Sequence, residues 1–230
     1  SPAGKALLVS ARKDDDGDIV ATVAFATGQL KDPDAVPWLS DLLMTGGTPP
    51  AIGREAAQAL GKIRTPAART VLAQYLTSAP QSAAAAPVVG EALLAIGRFT
   101  TRDDLAPILK WTAAADAEVR WRAAWALFRP RDPAAVPRLF ELSLDPSAEV
   151  RFWAVRGLAP ALVTEAGFDL AKAAARLRDA VRDPDRRVRA EALRVLVQHD
   201  DDASFAVVLG ALDSPDSWLS VSAAEALGRF

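Results

Sequence analysis

The feature that most constrains this chain is a large aliphatic residue that recurs seven times, at intervals of 31 to 38 residues. We use these residues as register marks: Ile19, Ile52, Val88, Val119, Val150, Val188 and Leu219. Recurrence at such intervals indicates a repeat architecture, in which each unit buries its apolar face only by stacking on its neighbours.

Two further columns keep the same register. Four residues after each mark stands a small residue, alanine in six of seven repeats: Val23, Ala56, Ala92, Ala123, Ala154, Ala192 and Ala223. Eight residues after it stand Thr27, Leu60, Ile96, Leu127, Leu158, Leu196 and Leu227. Residues four apart advance only about 40° around a helix, so the three columns form one apolar stripe. The pattern predicts one helix per repeat, with a small centre that lets a neighbouring helix approach closely.

Each repeat also carries signals that end this helix and begin a second one. A glycine follows the last apolar residue at Gly28, Gly61, Gly97 and Gly228, and we expect these glycines to be left-handed helix caps. The second helices begin with a capping residue and a proline at Asp32-Pro33, Thr65-Pro66 and Asp132-Pro133. The sequence therefore predicts an all-α solenoid of about six and a half two-helix repeats.

The pattern Asp-Pro-x-x-x-Val-Arg-x-x-Ala…Ala-Leu-Gly resembles the HEAT repeat, including its bacterial phycobilisome-lyase-like variants, over nearly the whole chain. The resemblance implies a right-handed α-solenoid, an α-α superhelix. It also implies that the arginine after the mark bonds with an aspartate between neighbouring repeats, at Arg120, Arg151 and Arg189. Three repeats lack this arginine, so we expect looser junctions there: Val20, Val89 and Ser220.

Residues 118–127 and 187–193 are further similar to bacterial arrays that precede a cyclophilin-type prolyl isomerase domain. No such domain lies within these 230 residues, so this resemblance transfers no catalytic residue. The first and last helices lack partners of their own repeat. We therefore predict a single domain over residues 1–230 that belongs to an array continuing in both directions.

Composition argues against several kinds of chemistry. The chain has no cysteine and one histidine, His199, which we place in an inter-helix turn with an aspartate cap. The acidic run at 14–18 lacks the spacing of an EF-hand, and Asp18 is interpreted as a helix cap. The net charge of −2 disfavours nucleic acid, and no apolar run is long enough for a membrane span. We expect no catalytic residue, cofactor or metal.

Three segments interrupt the repeats, at residues 45–50, 79–87 and 159–168. The first two are rich in turn-forming or small residues, and Pro160 is expected to end the first helix of the fifth repeat. Such insertions map to one edge of a solenoid, where they are tolerated surface loops or carry partner contacts.

Six tryptophans beside a single tyrosine make the aromatic residues the main binding candidates. Positions two, three and six after the mark face away from the apolar stripe, and in repeats four and five they hold Trp121, Arg122, Trp125, Phe152, Trp153 and Arg156. Mixed tryptophan and arginine is typical of interface hot spots. The alternative is that neighbouring helices cover these rings and arginines stack on them.

The second helices line the concave side in HEAT proteins, and they supply further candidates: Trp38, Arg69, Tyr75, Lys110, Trp111, Arg138 and Arg176. For Trp38 and Trp111 the alternative is a position in the core. The sequence thus favours a non-catalytic scaffold that binds a protein, a peptide or another domain of the same protein. The alternatives are a regulatory or substrate-holding array of a prolyl isomerase and a bilin-lyase-like protein.

Overall fold

The structure is a computed structural model that describes residues 2–102 and 104–228. Within those residues it has fifteen α-helices and no strand, and helix accounts for 72% of it. None of these helices is long and apolar enough to cross a membrane. The predicted fold class, an all-α solenoid, is confirmed.

The chain divides into two compact units, Ser1–Pro130 and Arg131–Phe230, and the single domain predicted over 1–230 stays a prediction. Unit 1 contains α1 (Pro2–Ala11), α2 (Gly17–Gln29), α3 (Val36–Met44), α4 (Pro50–Ile63), α5 (Pro66–Ser78), α6 (Ala86–Ile96), α7 (Ala106–Leu109) and α8 (Ala117–Phe128). Unit 2 contains α9 (Val136–Leu142), α10 (Ala148–Val155), α11 (Pro160–Glu165), α12 (Leu170–Ala180), α13 (Arg186–Leu196), α14 (Asp202–Leu212) and α15 (Ser217–Leu227).

Within each unit the helices form two layers. In unit 1 the first helices of successive repeats, α2, α4, α6 and α8, contact one another in that order, and the second helices α3, α5 and α7 form the other layer. In unit 2 the first helices α10, α13 and α15 contact in order, and α12 contacts α14 beside them. The division at Pro130 falls between α8 and α9, the two helices of the fourth repeat.

The small residue four positions after each mark lies in the core at every repeat. All six alanines of the column and Val23 are buried. The marks and the residues eight positions on are also buried in the middle repeats, whereas the outermost marks, Ile19 and Leu219, are partly exposed. The register deduced from the sequence is therefore confirmed.

We expect Ala123→Leu and Ala154→Leu each to lower the free energy of unfolding by about 1–3 kcal/mol, because the added methylenes overpack the closest point between helices. Chemical denaturation followed by circular dichroism measures the change. The matched control is Ala175→Leu on the exposed face of α12, which should change stability by less than about 0.5 kcal/mol. Equal effects at buried and exposed alanines would contradict this packing.

The glycines that end the first helices are not left-handed caps, so that prediction is wrong. Their φ angles are not positive; the left-handed residues near these helix ends are Lys31, Arg64 and Arg131. Gly28 and Gly61 instead sit where successive first helices nearly touch. A methyl group on Gly28 would lie 2.6 Å from the Ala59 Cα, and one on Gly61 would lie 2.8 Å from the Ala95 Cα. Glycine is needed there for close approach.

The predicted caps of the second helices are confirmed. The Asp32 and Asp132 side chains each accept a hydrogen bond from the backbone two residues on, and Thr65 caps α5 through the Ala68 N–H. The prediction for Asp18 is wrong. The cap of α2 is Asp16, because the helix begins at Gly17 and Asp18 already lies in its first turn.

The insertion at residues 159–168 folds into a helix of its own. The first helix of the fifth repeat ends in a short 3₁₀ turn, Arg156–Leu158, and so stops before Pro160 as the sequence predicted. The loop expected over residues 159–168 is instead partly helical, because α11 begins at Pro160. Leu162 and Val163 of α11 form a small apolar cluster with Val136 and Ala173. The insertion is therefore a packed part of unit 2.

Candidate functional site

The candidates on α8 are half-buried and bonded within unit 1. Trp121 donates its indole N–H to Glu118 Oε2 at 3.0 Å, and the Arg122 guanidinium lies 4.5 Å from the centre of the Trp121 ring. The Arg122 stem covers Gly90 of α6, and Trp125 lies over Gly97. Neighbouring groups thus cover part of each ring. This agrees with the alternative drawn from the sequence, in which neighbouring helices cover the rings and arginines stack on them.

The candidates on α10 form a compact aromatic and charged cluster in unit 2. The rings of Phe152 and Trp153 meet edge to face with centroids 5.0 Å apart, and the Arg156 guanidinium lies about 5 Å from both. Trp153 donates its indole N–H to Glu149. Arg156 Nε lies 2.9 Å from Glu191 Oε1, in an ion pair without hydrogen-bond alignment. These side chains are half-buried, so each still presents some surface.

Trp111 must be removed from the candidate contacts. Its side chain is only 2% exposed, and its indole N–H donates to the Leu76 carbonyl at 3.0 Å. Lys110 donates to the carbonyls of Thr77 and Ala79 at the end of α5. Both residues therefore join the second helices of adjacent repeats, and the lysine is a favourable cation at a helix C-terminus.

Arg176 has the same structural role in unit 2. It donates to the side chain and carbonyl of Ser143, the C-cap of α9, and burial lowers the pKa of its guanidinium. Arg138 lies on the surface and donates to Glu141 three residues on. The sequence analysis placed Arg138 and Arg176 together among the candidate contacts. Of the two, only Arg138 has its side chain at the surface.

The remaining candidates lie in unit 1. Trp38 is half-buried, with the Arg12 guanidinium 5.1 Å from its ring centre, and Arg69 is half-buried on α5. Tyr75 lines a cavity of about 390 Å³ between the loops at residues 45–48 and 79–85, and burial raises the pKa of its hydroxyl. The two loop insertions of unit 1 therefore face one cavity, whose lining has no charged side chain.

A second surface site lies in unit 2, between the first helices α10, α13 and α15. It is a groove of about 230 Å³. Its lining residues are Phe152, Arg187, Ala190, Glu191, Arg194, Trp218, Ser222, Glu225 and Ala226. The groove combines aromatic and small apolar surface with charges of both signs. We call it the α13–α15 groove.

Sequence reasoning missed Trp218, which is 50% exposed and the most exposed of the six tryptophans. The Arg186 guanidinium lies 5.0 Å from its ring centre. The sequence did contain a signal for Trp218, in the residues that occupy its position in other repeats. Trp218 stands one residue before its mark. The three preceding repeats carry charged residues at that position: Glu118, Glu149 and Arg187. An indole at a position charged in its counterparts points to a surface ring.

The charges of the groove are held by ion pairs. Arg187 bonds to Asp185 and Glu149, and these hydrogen bonds raise the pKa of its guanidinium. The buried carboxylate of Glu191 accepts from Arg194, whose pKa rises through that bond, and also pairs with Arg156. These pairs hold the Arg187, Glu191 and Arg194 side chains along the groove.

His199 lies in the turn between α13 and α14, as the sequence predicted, and its side chain is buried. Its Nε2 lies 3.0 Å from the Leu158 carbonyl and so carries the proton, and burial lowers the pKa of the imidazole. Asp201 caps α14 beside it. Within residues 2–102 and 104–228, no group of three or more His, Cys, Asp or Glu side chains is placed to hold a metal.

Comparison with known proteins identifies the repeat. The model of the HEAT-repeat family matches residues 4–89, 83–159, 103–183 and 173–230, which together span nearly the whole chain. The chain belongs to the HEAT-repeat family. The matches cover both units and include the Asp-Pro and Val-Arg positions from which the resemblance was drawn.

Mouse deoxyhypusine hydroxylase is 33% identical over 129 residues, which are 54% of this chain and 37% of that protein. The chain thus spans little more than a third of this relative. Among solved structures, the Escherichia coli protein YibA is 20% identical with a TM-score of 0.66, covering 97% of this chain and 81% of that one. The Nostoc phycocyanin lyase complex of CpcE and CpcF is 17% identical with a TM-score of 0.58, covering 96% and 86%. The likeness to these two structures establishes the fold of this chain and nothing about its function.

At Arg151 and Arg189 the HEAT arginine forms the junctions with an aspartate that the resemblance implied. Arg151 bonds to both carboxylate oxygens of Asp183 at 2.7 Å, and its third nitrogen donates to the carbonyls of Asp145 and Pro146. Arg189 makes the next junction, donating to Asp216 at 2.6 Å. In unit 2 these arginines therefore join consecutive HEAT repeats through charged hydrogen bonds.

Proposed function

We propose that this HEAT array is a non-catalytic scaffold that binds a protein or peptide, and that the α13–α15 groove is its contact surface in unit 2. The observation that carries the proposal is the half-exposed indole of Trp218, with Arg186 against its ring, at the edge of the groove. Tryptophan and arginine dominate interface hot spots.

The lining indicates the chemistry of the ligand. Trp218, Phe152 and Ala190 offer apolar surface for one aromatic or aliphatic anchor side chain. Glu225 is exposed beside them, and Ser222 adds a hydroxyl. A segment with an apolar anchor flanked by a basic residue fits this lining, because the anchor would contact the rings and the base would pair with Glu225.

A catalytic function is less well supported, although the mouse relative is a hydroxylase by name. The chain has no cysteine, and its one histidine donates to Leu158 from a buried position. Apart from Glu225, the ionised groups of the groove are paired arginines and carboxylates, which suits recognition more than proton transfer. The net charge of −2 favours a protein partner over nucleic acid.

A peptide library selected against the immobilised chain tests the proposal. We expect recovered peptides to bind the wild-type chain, and Trp218→Ala to weaken them by about thirtyfold or more, as for a hot-spot residue. Isothermal titration calorimetry measures the affinity. The matched control is Phe25→Ala in unit 1, which removes an exposed ring that also lies against a cation, Lys62. Recovery of no peptide, or equal binding by Trp218→Ala, would contradict the proposal.

A further inference from the structure

The imidazole of His199 joins the ends of two successive first helices in unit 2. His199 follows the last turn of α13, and its ring is only 5% exposed. Its Nε2–H donates to the Leu158 carbonyl at 3.0 Å, in the 3₁₀ turn that ends α10. A carbonyl at the end of a helix has no partner within that helix, so this bond supplies one from the next repeat. His199 therefore links repeats five and six.

The other ring nitrogen, Nδ1, is also buried, and no group within residues 2–102 and 104–228 bonds to it. In the neutral ring this nitrogen carries no proton and is only a potential acceptor. Protonation turns it into an N–H donor and gives the ring a positive charge. A buried donor and a buried charge are both costly when no acceptor receives them. The site therefore fits the neutral imidazole and disfavours the imidazolium.

The charged groups around the ring do not reverse this preference. Asp201, in the turn before α14, favours the protonated ring, and Arg178 of α12 opposes it. These two residues are themselves paired at 3.2 Å. On the other two elements, Arg156 and Arg194 both pair with Glu191. The exposed acids beside the ring in the same turn are Asp200 and Asp202. Burial has the largest effect, and it lowers the pKa of the imidazole from its ordinary value of 6.5.

We propose that His199 is a pH-sensitive latch between repeats five and six, closed by the neutral imidazole and opened by its protonation. A protonated ring would leave for water, and the Leu158 carbonyl would lose its donor. The contribution of the closed latch to stability is complete above about pH 6.5, the pKa that the unfolded chain keeps. It is lost as the pH falls from there through the lower pKa of the folded chain, because the unfolded chain then binds one more proton.

The composition of the chain makes this latch simple to isolate by experiment. His199 is the only histidine, and the chain has no cysteine. Histidine is the one side chain whose ordinary pKa lies between about 5 and 8, and carboxylates titrate near about 4. A side-chain proton taken up on unfolding in mild acid therefore has a single expected site.

Urea denaturation between about pH 7.5 and about pH 5.5 tests the latch. We expect the unfolding equilibrium constant of the wild type to rise below about pH 6.5 by up to about tenfold per pH unit, the slope for one proton. His199→Gln retains an N–H that can reach the Leu158 carbonyl, but this amide does not titrate. Its stability should stay constant over the same range.

The matched control moves the histidine by one position, in a double variant that combines Gln198→His with His199→Gln. Residue 198 is exposed, so a histidine there should titrate alike in the folded and unfolded chains. The stability of this variant should not depend on pH in the range tested, although its composition equals that of the wild type. A pH dependence equal to that of the wild type would contradict the assignment to the buried ring.

Hydrogen exchange shows where the chain opens. The backbone N–H groups of Gln198 and His199 donate to Val195 and Leu196 in the last turn of α13. After correction for the intrinsic effect of pH on exchange, their protection should fall in mild acid, while that of α4 in unit 1 should hold. Equal losses in both places would show unfolding of the whole chain and overturn a local latch.

The imidazole itself can be followed by NMR in the wild-type chain, which decides the matter even if His199→Gln does not fold. We expect the folded chain to show the proton on Nε2 at neutral pH and to titrate below the ordinary pKa of histidine. A ring that gains its second proton at or above that ordinary value, or a wild type whose stability does not depend on pH in this range, would overturn the proposal.

Discussion

Replacing Arg151 by methionine is expected to lower the free energy of unfolding by about 3–5 kcal/mol, because it leaves a buried carboxylate without its partner. Asp183 is almost fully buried, and Arg151 supplies both of its charged hydrogen bonds while also satisfying two backbone carbonyls. These bonds to Asp183 raise the pKa of the Arg151 guanidinium.

The control for Arg151 is Arg138→Met, which removes a partly exposed pair with Glu141 on the same unit and should cost less than about 1 kcal/mol. The double variant Arg151→Met with Asp183→Leu should recover part of the loss, since no charge is then left buried without a partner. Urea denaturation measures all of these variants. If Arg151→Met were no more harmful than Arg138→Met, the arginine would not hold the junction together.

The second large effect is expected at Trp111. Trp111→Ala should destabilise the chain by about 3–5 kcal/mol through the cavity it leaves, and it also deprives the Leu76 carbonyl of its donor. Trp111→Phe keeps most of the ring and loses only the N–H, so a smaller loss of about 1–3 kcal/mol is expected. Near-wild-type stability of Trp111→Ala, together with lost peptide binding, would return this residue to the binding surface.

The repeat register and the fold class could be predicted from the sequence because they depend on residue spacing alone. Residues four apart share a helix face wherever the helix lies, so the column from Val23 to Ala223 identified the buried stripe directly. Aspartate and threonine before proline likewise acted locally as caps, at Asp32 and Thr65.

What the sequence could not supply depends on neighbouring helices. Gly28 and Gly61 look like helix caps because they follow the last apolar residue, yet the helices continue past them and a close neighbour explains the glycine. The sequence left Trp111 open between a contact surface and the core, and its helix changes to a 3₁₀ turn at Lys110. The tighter turn alters the direction of the side chain.

The candidate site was only partly predicted for the same reason. Position six after the mark was taken to face solvent, but at Trp125 the ring lies over Gly97 of the adjacent first helix. The α13–α15 groove combines one candidate from the sequence, Phe152, with Trp218 and the charged residues of α13. A groove between helices from different repeats is not visible in the periodicity of any single helix.

The most direct test of the proposed binding site follows the six tryptophan indole N–H signals by NMR while a selected peptide is added. Single substitutions assign each signal. We predict that the Trp218 signal shifts with the peptide concentration at which calorimetry detects binding, and that the buried Trp111 signal does not move. Binding that shifts tryptophans of unit 1 and leaves Trp218 unchanged would contradict the assignment of the groove as the contact surface.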